Sequence, residues 1–157
     1  MRHIMIRERL HDAFTKISAL DKKTISQFLV QQSFPIDLSS AEVQESLEYA
    51  VKERPSFGGF VLSAIEEEEI VGALIVNRTG MGGFNPSYLL VHFGIHPKYK
   101  QNGLPQRLLS AALRYTKGDL AMRLPVDHPQ RSLIEAVGFK AAYLEMRFDK
   151  SGFTDSN

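Results

Sequence analysis

An apolar run, Tyr88-Leu-Leu-Val-His-Phe-Gly-Ile95, ends before Pro97, and apolar residues resume at helical spacing at Leu104, Leu108, Leu109, Ala112 and Leu113. The first run has the β-branched and aromatic content of a central strand. The second has the period of an amphipathic helix, with Pro105 suited to its first turn and Gly118 to its C-terminal cap. A strand that passes through a short glycine-containing loop into a helix needs both kinds of element around one core, which points to a mixed α/β fold. The loop also has a chemical consequence. Unpaired N–H groups at a helix N-terminus, reinforced by the helix dipole, favour an anion such as a pyrophosphate. Gly103 lets phosphate approach without a Cβ in the way, and Lys98, Lys100 and Arg107 add positive charge nearby. An ordinary connection carrying exposed basic residues would look the same, so the loop alone leaves both readings open.

The rest of the chain supplies the remaining elements. A strand is expected somewhere in the first twenty residues, where Ile4, Ile6, Phe14, Ile17 and Leu20 fit either period. Asp21 is the expected N-cap of a helix with Ile25, Phe28 and Leu29 on its apolar face, ending before Pro35. Ser39 or Ser40 opens a second helix carrying Val43, Leu47, Ala50 and Val51, which stops at Arg54-Pro55. Phe60 to Ile65 and Ile70 to Asn77 read as a hairpin around the solvated acidic turn Glu66 to Glu69. After the central strand and its helix come a strand from Leu120 to Leu124 and a short helix opened by Asp127, His128 or Pro129 and closed by Gly138. A last strand follows from Ala141 to Phe148. No repeat or linker divides the chain, so residues 1–149 are expected to form one domain, with a frayed polar tail at 150–157.

Composition narrows the function classes. Nineteen Lys and Arg against eighteen Asp and Glu leave a formal charge of +1, so no basic field draws nucleic acid or an acidic membrane. No apolar run reaches the roughly 20 residues that span a bilayer, and charge interrupts the N-terminus where a signal peptide needs its apolar stretch, so the cytoplasm is the expected compartment. Without cysteine there is no thiolate nucleophile, and the five histidines lack metal-ligand spacing.

The segment Ile95-His-Pro-Lys-Tyr-Lys-Gln-Asn-Gly-Leu-Pro-Gln-Arg-Leu-Leu109 resembles the cofactor-binding motif of the GNAT superfamily of acyl-CoA N-acyltransferases. On that family's Arg/Gln-x-x-Gly-x-Gly/Ala core, Lys100 falls at the basic position, Gly103 at the first glycine and Pro105 at the second small residue. Glu69-Ile-Val-Gly72 is similar to the opening of the family's third strand. Asp127-His-Pro-Gln-Arg-Ser-Leu-Ile-Glu-Ala-Val-Gly-Phe139 resembles its Asp-Asn-Pro-Ala-x-x-Leu-Tyr-Glu-x-x-Gly-Phe helix, and Tyr143-Leu-Glu-Met-Arg147 its closing strand. The resemblance covers roughly residues 60–148 in the family's order. It implies a strongly twisted mixed sheet of about six strands flanked by about four helices, with strands splayed beside Tyr88 to Ile95 to admit pantetheine. It implies acetyl-CoA or another acyl-CoA as cosubstrate, contacted by Phe93, Gly94, Ile95, Lys100, Gln101, Asn102, Gly103, Leu104, Pro105, Gln106, His128 and Arg131. The acceptor would be a primary amine of a small molecule or peptide, and a homodimer is a family expectation.

Three departures stand out: Pro105 lacks an amide proton, His128 replaces the family's Asn, and Ile134 replaces the Tyr placed to protonate the CoA thiolate. The implied reaction is direct attack of the amine on the thioester, helped by a base and an acid. His92 is the candidate base because imidazole titrates near neutrality, although a strand histidine can equally be a packing residue. His128 is the candidate replacement acid, against a role in capping its helix or lining the channel, and Tyr143 is the other candidate. A non-catalytic module that keeps the fold and CoA but has lost the reaction is the rival reading, and Ile134 favours it.

Overall fold

The computed structural model describes residues 5–33 and 38–152. Strand β1 (Arg7–His11) is followed by helices α1 (Ala19–Gln32) and α2 (Ser40–Ala50), strands β2 (Gly59–Glu66), β3 (Glu69–Arg78) and β4 (Tyr88–Ile95), helix α3 (Leu104–Tyr115), strand β5 (Leu120–Met122) and helix α4 (Arg131–Val137). The five strands form one sheet in sequence order, antiparallel except for the parallel pair β4 and β5.

Each face of the sheet carries its own core. Val61, Ala73 and Ile75 meet Ile25 and Leu29 of α1 and Val43, Leu47 and Ala50 of α2. Leu62, Leu74, Val76 and Leu90 meet Leu104, Leu108 and Leu109 of α3 and Ile134 of α4. Strands covered on both faces have no polar side to show, which is why β2 and β3 read as continuous apolar runs rather than alternating ones. Helix α3 lies close enough that a Cβ at Gly72 would come within 2.7 Å of Leu108 Cδ1. Truncating Leu108, which is 0% exposed, would open a cavity and cost about 2–5 kcal/mol.

Local chemistry sets the ends of the elements. Ser18, not Asp21, caps α1: its hydroxyl accepts from Asp21 N–H at 3.0 Å, and Asp21 sits in the first turn, where the dipole favours a carboxylate. Ser39 caps α2 through Glu42 N–H at 3.1 Å. Helix α4 starts later than expected because residues before it are spent on a turn. His128 Nδ1 accepts from Gln130 N–H at 3.0 Å, and the His128 carbonyl from Arg131 N–H at 3.2 Å.

The sheet departs from expectation at its C-terminal end. Strand β5 pairs over three residues only, and Ala141 to Phe148, expected as the last strand, joins no ladder among the described residues. Pro125 lies just past β5 and cannot donate to a ladder, so the edge on offer is short. Tyr143, Leu144, Met146 and Phe148 are exposed as a result. Lys150–Gly152 form a 3₁₀ turn, while the rest of the expected frayed tail, Ile4, and residues 34–37 with Pro35 lie outside the described residues.

Candidate active site

Beyond Ile95 the chain makes a 3₁₀ turn, Pro97–Tyr99, capped by His96, whose Nδ1 accepts from Lys98 N–H at 3.2 Å. The Tyr99 hydroxyl donates to the Glu66 carboxylate and ties the turn to the end of β2. Gly103 then takes φ +88°, a left-handed conformation that disfavours any side chain, and a Cβ there would meet nothing within 4 Å. Leu104 N–H donates to Asn102 Oδ1 at 3.3 Å and Arg107 N–H to the Gly103 carbonyl at 3.0 Å. The N–H groups of Gln101, Asn102, Gly103 and Gln106 make no hydrogen bond among the described residues. Four free donors around an open glycine at the start of a 12-residue helix form a concavity suited to an anion.

The side chains around this turn depart from the sequence reading in two ways. Arg107 is engaged elsewhere, with Nε 2.8 Å from Glu8 Oε1 and Nη2 3.0 Å from the Ile6 carbonyl, so it anchors β1 to α3 instead of adding charge to the loop. Pro105 is buried against the core and its ring does not obstruct the turn, although its missing N–H remains. Lys98, Lys100, Gln101, Asn102 and Gln106 are exposed. Arg131 bonds Glu135 at 2.7 Å and the Val126 carbonyl at 3.3 Å, so its charge is already shared. His128 is 9% exposed and its pKa is lowered, first by burial and then by the positive charge of Lys100, which puts the two side chains in one neighbourhood.

Strand β4 opens the sheet beside this loop. Its parallel pairing with β5 runs from Tyr88 to Leu90 and stops there, inside the strand, so Phe93, Gly94 and Ile95 lie beyond the paired stretch. On the other side a register shift sets Ile75 opposite His92 and Val76 opposite Leu90, leaving Val91 as a bulge. Bulges of this kind re-aim side chains and are frequent beside active sites. Gly94 carries an isolated antiparallel bridge to Ser33, so the end of α1 closes on the diverging edge.

A cavity of about 370 Å³ lies at the end of the β4–β5 pairing, lined by Glu42 and Ser46 of α2, Leu89 to His92 of β4, Arg123 and Arg147. His92 is 8% exposed, and burial pushes its pKa below 6.5 against a smaller upward effect of Glu42. Its Nε2 lies 3.2 Å from Ser46 Oγ, while Nδ1 is enclosed and has no partner among the described residues. The tautomer follows from Ser46: its single hydroxyl proton goes to the Glu42 carbonyl at 3.0 Å, so Oγ accepts from His92 Nε2–H. The lone pair of the neutral ring is therefore at Nδ1. The neutral imidazole keeps a free lone pair, and with Nδ1 enclosed a shift of the ring must bring it to the cavity before it can take a proton from a substrate.

The two candidate catalytic histidines are not brought together, since His128 does not line this cavity and its Nδ1 already accepts from Gln130 N–H. Ile134 is 2% exposed and packed in the core, so its position faces no substrate. Tyr143 is exposed and stacks edge-on against Phe84 at 5.1 Å, away from the cavity lining. Sequence reasoning missed Glu42, Ser46, Arg123 and Arg147. Glu42 and Ser46 share one helix face at i, i+4 spacing, but beside Glu45 on a polar side of α2 that pair carries no distinctive signal. The two arginines carry none, because they come from segments whose approach to β4 is set by tertiary structure alone.

Known proteins share this architecture. The acetyltransferase (GNAT) family model matches residues 26–139, more than half of the chain. No curated protein matches. Among solved structures, the aminoglycoside N-acetyltransferase AAC(6')-Iy in complex with CoA is 13% identical, covers 95% of this chain and 97% of its own, and superposes with a TM-score of 0.69. A ribosomal-protein-alanine N-acetyltransferase from Brucella melitensis biovar Abortus 2308 is 15% identical with coverages of 92% and 99% and a TM-score of 0.62. An aminoglycoside acetyltransferase from an uncultured soil metagenomic sample, in complex with sisomicin, is 17% identical with coverages of 90% and 94% and a TM-score of 0.60. At these identities the likeness is one of fold, and the family assignment rests on the model match. With a strand splayed at Leu90, a donor-lined turn at Gly103 and that match in agreement, the chain belongs to the GNAT acetyltransferase family, acyl-CoA-dependent N-acetyltransferases whose cosubstrate is acetyl-CoA.

Proposed function

We propose that this protein acetylates a primary amine by direct attack on acetyl-CoA, with the turn at Gln101 to Gln106 receiving the pyrophosphate and His92 acting as general base. The observation that carries the reading is His92 itself: buried, neutral, fixed by Ser46 as the Nε2–H tautomer, and left with an enclosed, unpartnered Nδ1 that a small shift of the ring would bring to the cavity His92 lines. Free N–H groups of Gln101, Asn102, Gly103 and Gln106, with the charge of Lys100, support the phosphate assignment. Backbone groups of Phe93 and Ile95, beyond the β4–β5 pairing, would meet the pantetheine arm, and Gly94 would do so only around its bridge to Ser33.

In the reaction, His92 Nδ1 takes the proton that the amine must lose, the amine nitrogen bonds to the thioester carbonyl carbon, and the carbon–sulfur bond breaks. Ile134 has no proton to give and Tyr143 lies away from the cavity, so the leaving thiolate takes its proton from water. A thiol pKa of about 8.5 makes that departure tolerable near neutrality. His128 serves its turn by accepting from Gln130 N–H, and its closeness to Lys100 supports a place beside the cofactor rather than a role as acid.

The rival is a CoA-binding module without the reaction, and one experiment separates the two. Thiol release from acetyl-CoA is followed over an amine panel for the wild type and His92→Gln. The transferase reading expects turnover that falls by about 10²- to 10⁴-fold in the variant, the range of positioned base catalysis, with acetyl-CoA affinity retained. Acetyl-CoA binding with no thiol release for any amine would establish the module. The reading takes residues 1–149 as one working unit, in the cytoplasm, where acetyl-CoA is available. A homodimer is supported by the exposed apolar stretch at Tyr143, Leu144, Met146 and Phe148, which a second copy would cover.

A further inference from the structure

The cavity beside His92 has two chemically different ends. On one, Glu42 contributes a carboxylate for which no ion pair is found among the described residues, next to Ser46 and His92. On the other, Arg123 and Arg147 reach the cavity from the segments after β5 and after α4. The two guanidiniums share one carboxylate: Arg123 Nε lies 3.1 Å from Glu145 Oε2, and Arg147 Nε bonds Glu145 Oε1. Two positive charges against one negative leave a net positive end, and each guanidinium retains N–H donors beyond the one given to Glu145.

We infer that the acceptor is a small amino carboxylate, its carboxylate held by Arg123 and Arg147 and its amine presented to Glu42 and His92. The inference rests on the transferase reading for which atom reacts, but not for which ligand binds. Three observations support it. Both signs of charge line a single cavity, so a ligand that carries an ammonium and an anion matches both. Its volume, about 370 Å³, is in the range of small-molecule sites and accommodates an amino acid or dipeptide. And His92, which lines the same cavity as Glu42 and has an Nδ1 without a partner among the described residues, is the group nearest in chemistry to an arriving amine. A polycation fits poorly, because it would set several ammonium groups against two arginines with Glu42 as the one carboxylate in the lining. The aminoglycosides of the similar structures are thus not the substrate class that this cavity selects.

The test is calorimetric titration of the CoA-loaded protein with glycine, β-alanine and longer ω-amino acids, each against its neutral carboxamide, with sisomicin as the polycation. Arg123→Gln and Arg147→Gln are run in parallel. Both arginines are largely exposed, with side chains 63% and 70% accessible, so melting temperatures should stay at the wild-type value and confirm that the variants fold. At least one acid should bind about 10- to 100-fold more tightly than its carboxamide, the range expected of a charge-assisted hydrogen bond, and either variant should remove most of that preference. Equal binding of acid and amide, a preference that survives both variants, tighter binding of sisomicin than of every acid, or no binding of any acid would each overturn the inference. Thiol release, measured on the same panel, keeps the two proposals apart. Acid-selective binding without thiol release upholds the ligand class and removes the transferase reading, whereas thiol release indifferent to the acid does the reverse.

Discussion

Histidine protonation sets the acid sensitivity expected of this protein and, on the proposed mechanism, its chemistry. His11, His92 and His128 all have pKa values lowered below 6.5, with burial the largest cause in each. A histidine whose folded pKa lies below its unfolded value contributes its full stability above the unfolded pKa, and that contribution is lost as pH falls through the folded one. The melting temperature should therefore be level above about pH 6.5 and decline on the acid side, and His92→Gln should shallow the decline. With His92 as the proposed base, the acid limb of kcat/KM should likewise fall below 6.5, in the wild type only. Gly103 gives a second prediction at this scale. Its φ of +88° and the open space over it mean that Gly103→Val strains the turn and fills the concavity without any packing clash. The rise in melting temperature caused by acetyl-CoA should largely disappear in Gly103→Val, and an unchanged rise would place the cofactor elsewhere. The turn at Gly103 was legible because a glycine just before a helix suits a left-handed residue, while its use for phosphate rested on the flanking resemblance. The partners of His92 were not, because alternation along a strand cannot say which helix covers its face.

At the scale of elements, sequence pattern identified most of the architecture, namely the early strand, both N-terminal helices, the β2–β3 hairpin, β4 and α3. It succeeded where an element's own residues settle its ends, as Ser39 does for α2 and Gly103 for α3. It failed for Ala141 to Phe148, whose apolar content suits a strand but whose pairing depends on an edge that β5 offers over only three residues. The hairpin carries a local conflict of its own. Glu67 and Glu68, the two turn residues, take φ +49° and +67°, a left-handed pair that asparagine or glycine occupies at less cost. Glu68→Gly should therefore stabilise the protein by about 1 kcal/mol, net of a weak exposed ion pair with Arg7, as read from thermal melts. A lower melting temperature would show that the ion pair, not the backbone, governs this turn.

Seen whole, the molecule is a sheet covered on both faces and left incomplete at one edge, and its cavity sits where that edge diverges. The C-terminal segment borders this region, with Arg147 at the rim of the cavity and Leu144, Met146 and Phe148 exposed. Placing Asp at Leu144 and Met146 should convert a dimer to monomers in sedimentation velocity without lowering the monomer's melting temperature, since neither side chain is packed. A wild type that is monomeric at high micromolar concentration would remove the dimer. The central claim, that His92 Nδ1 draws the proton from an amine attacking acetyl-CoA, is tested most directly by thiol release as a function of pH in the wild type and His92→Gln. The account predicts turnover in the wild type with an acid limb below pH 6.5, and in the variant a loss of about 10²- to 10⁴-fold at unchanged acetyl-CoA affinity. A variant that turns over at the wild-type rate with the same acid limb would contradict it.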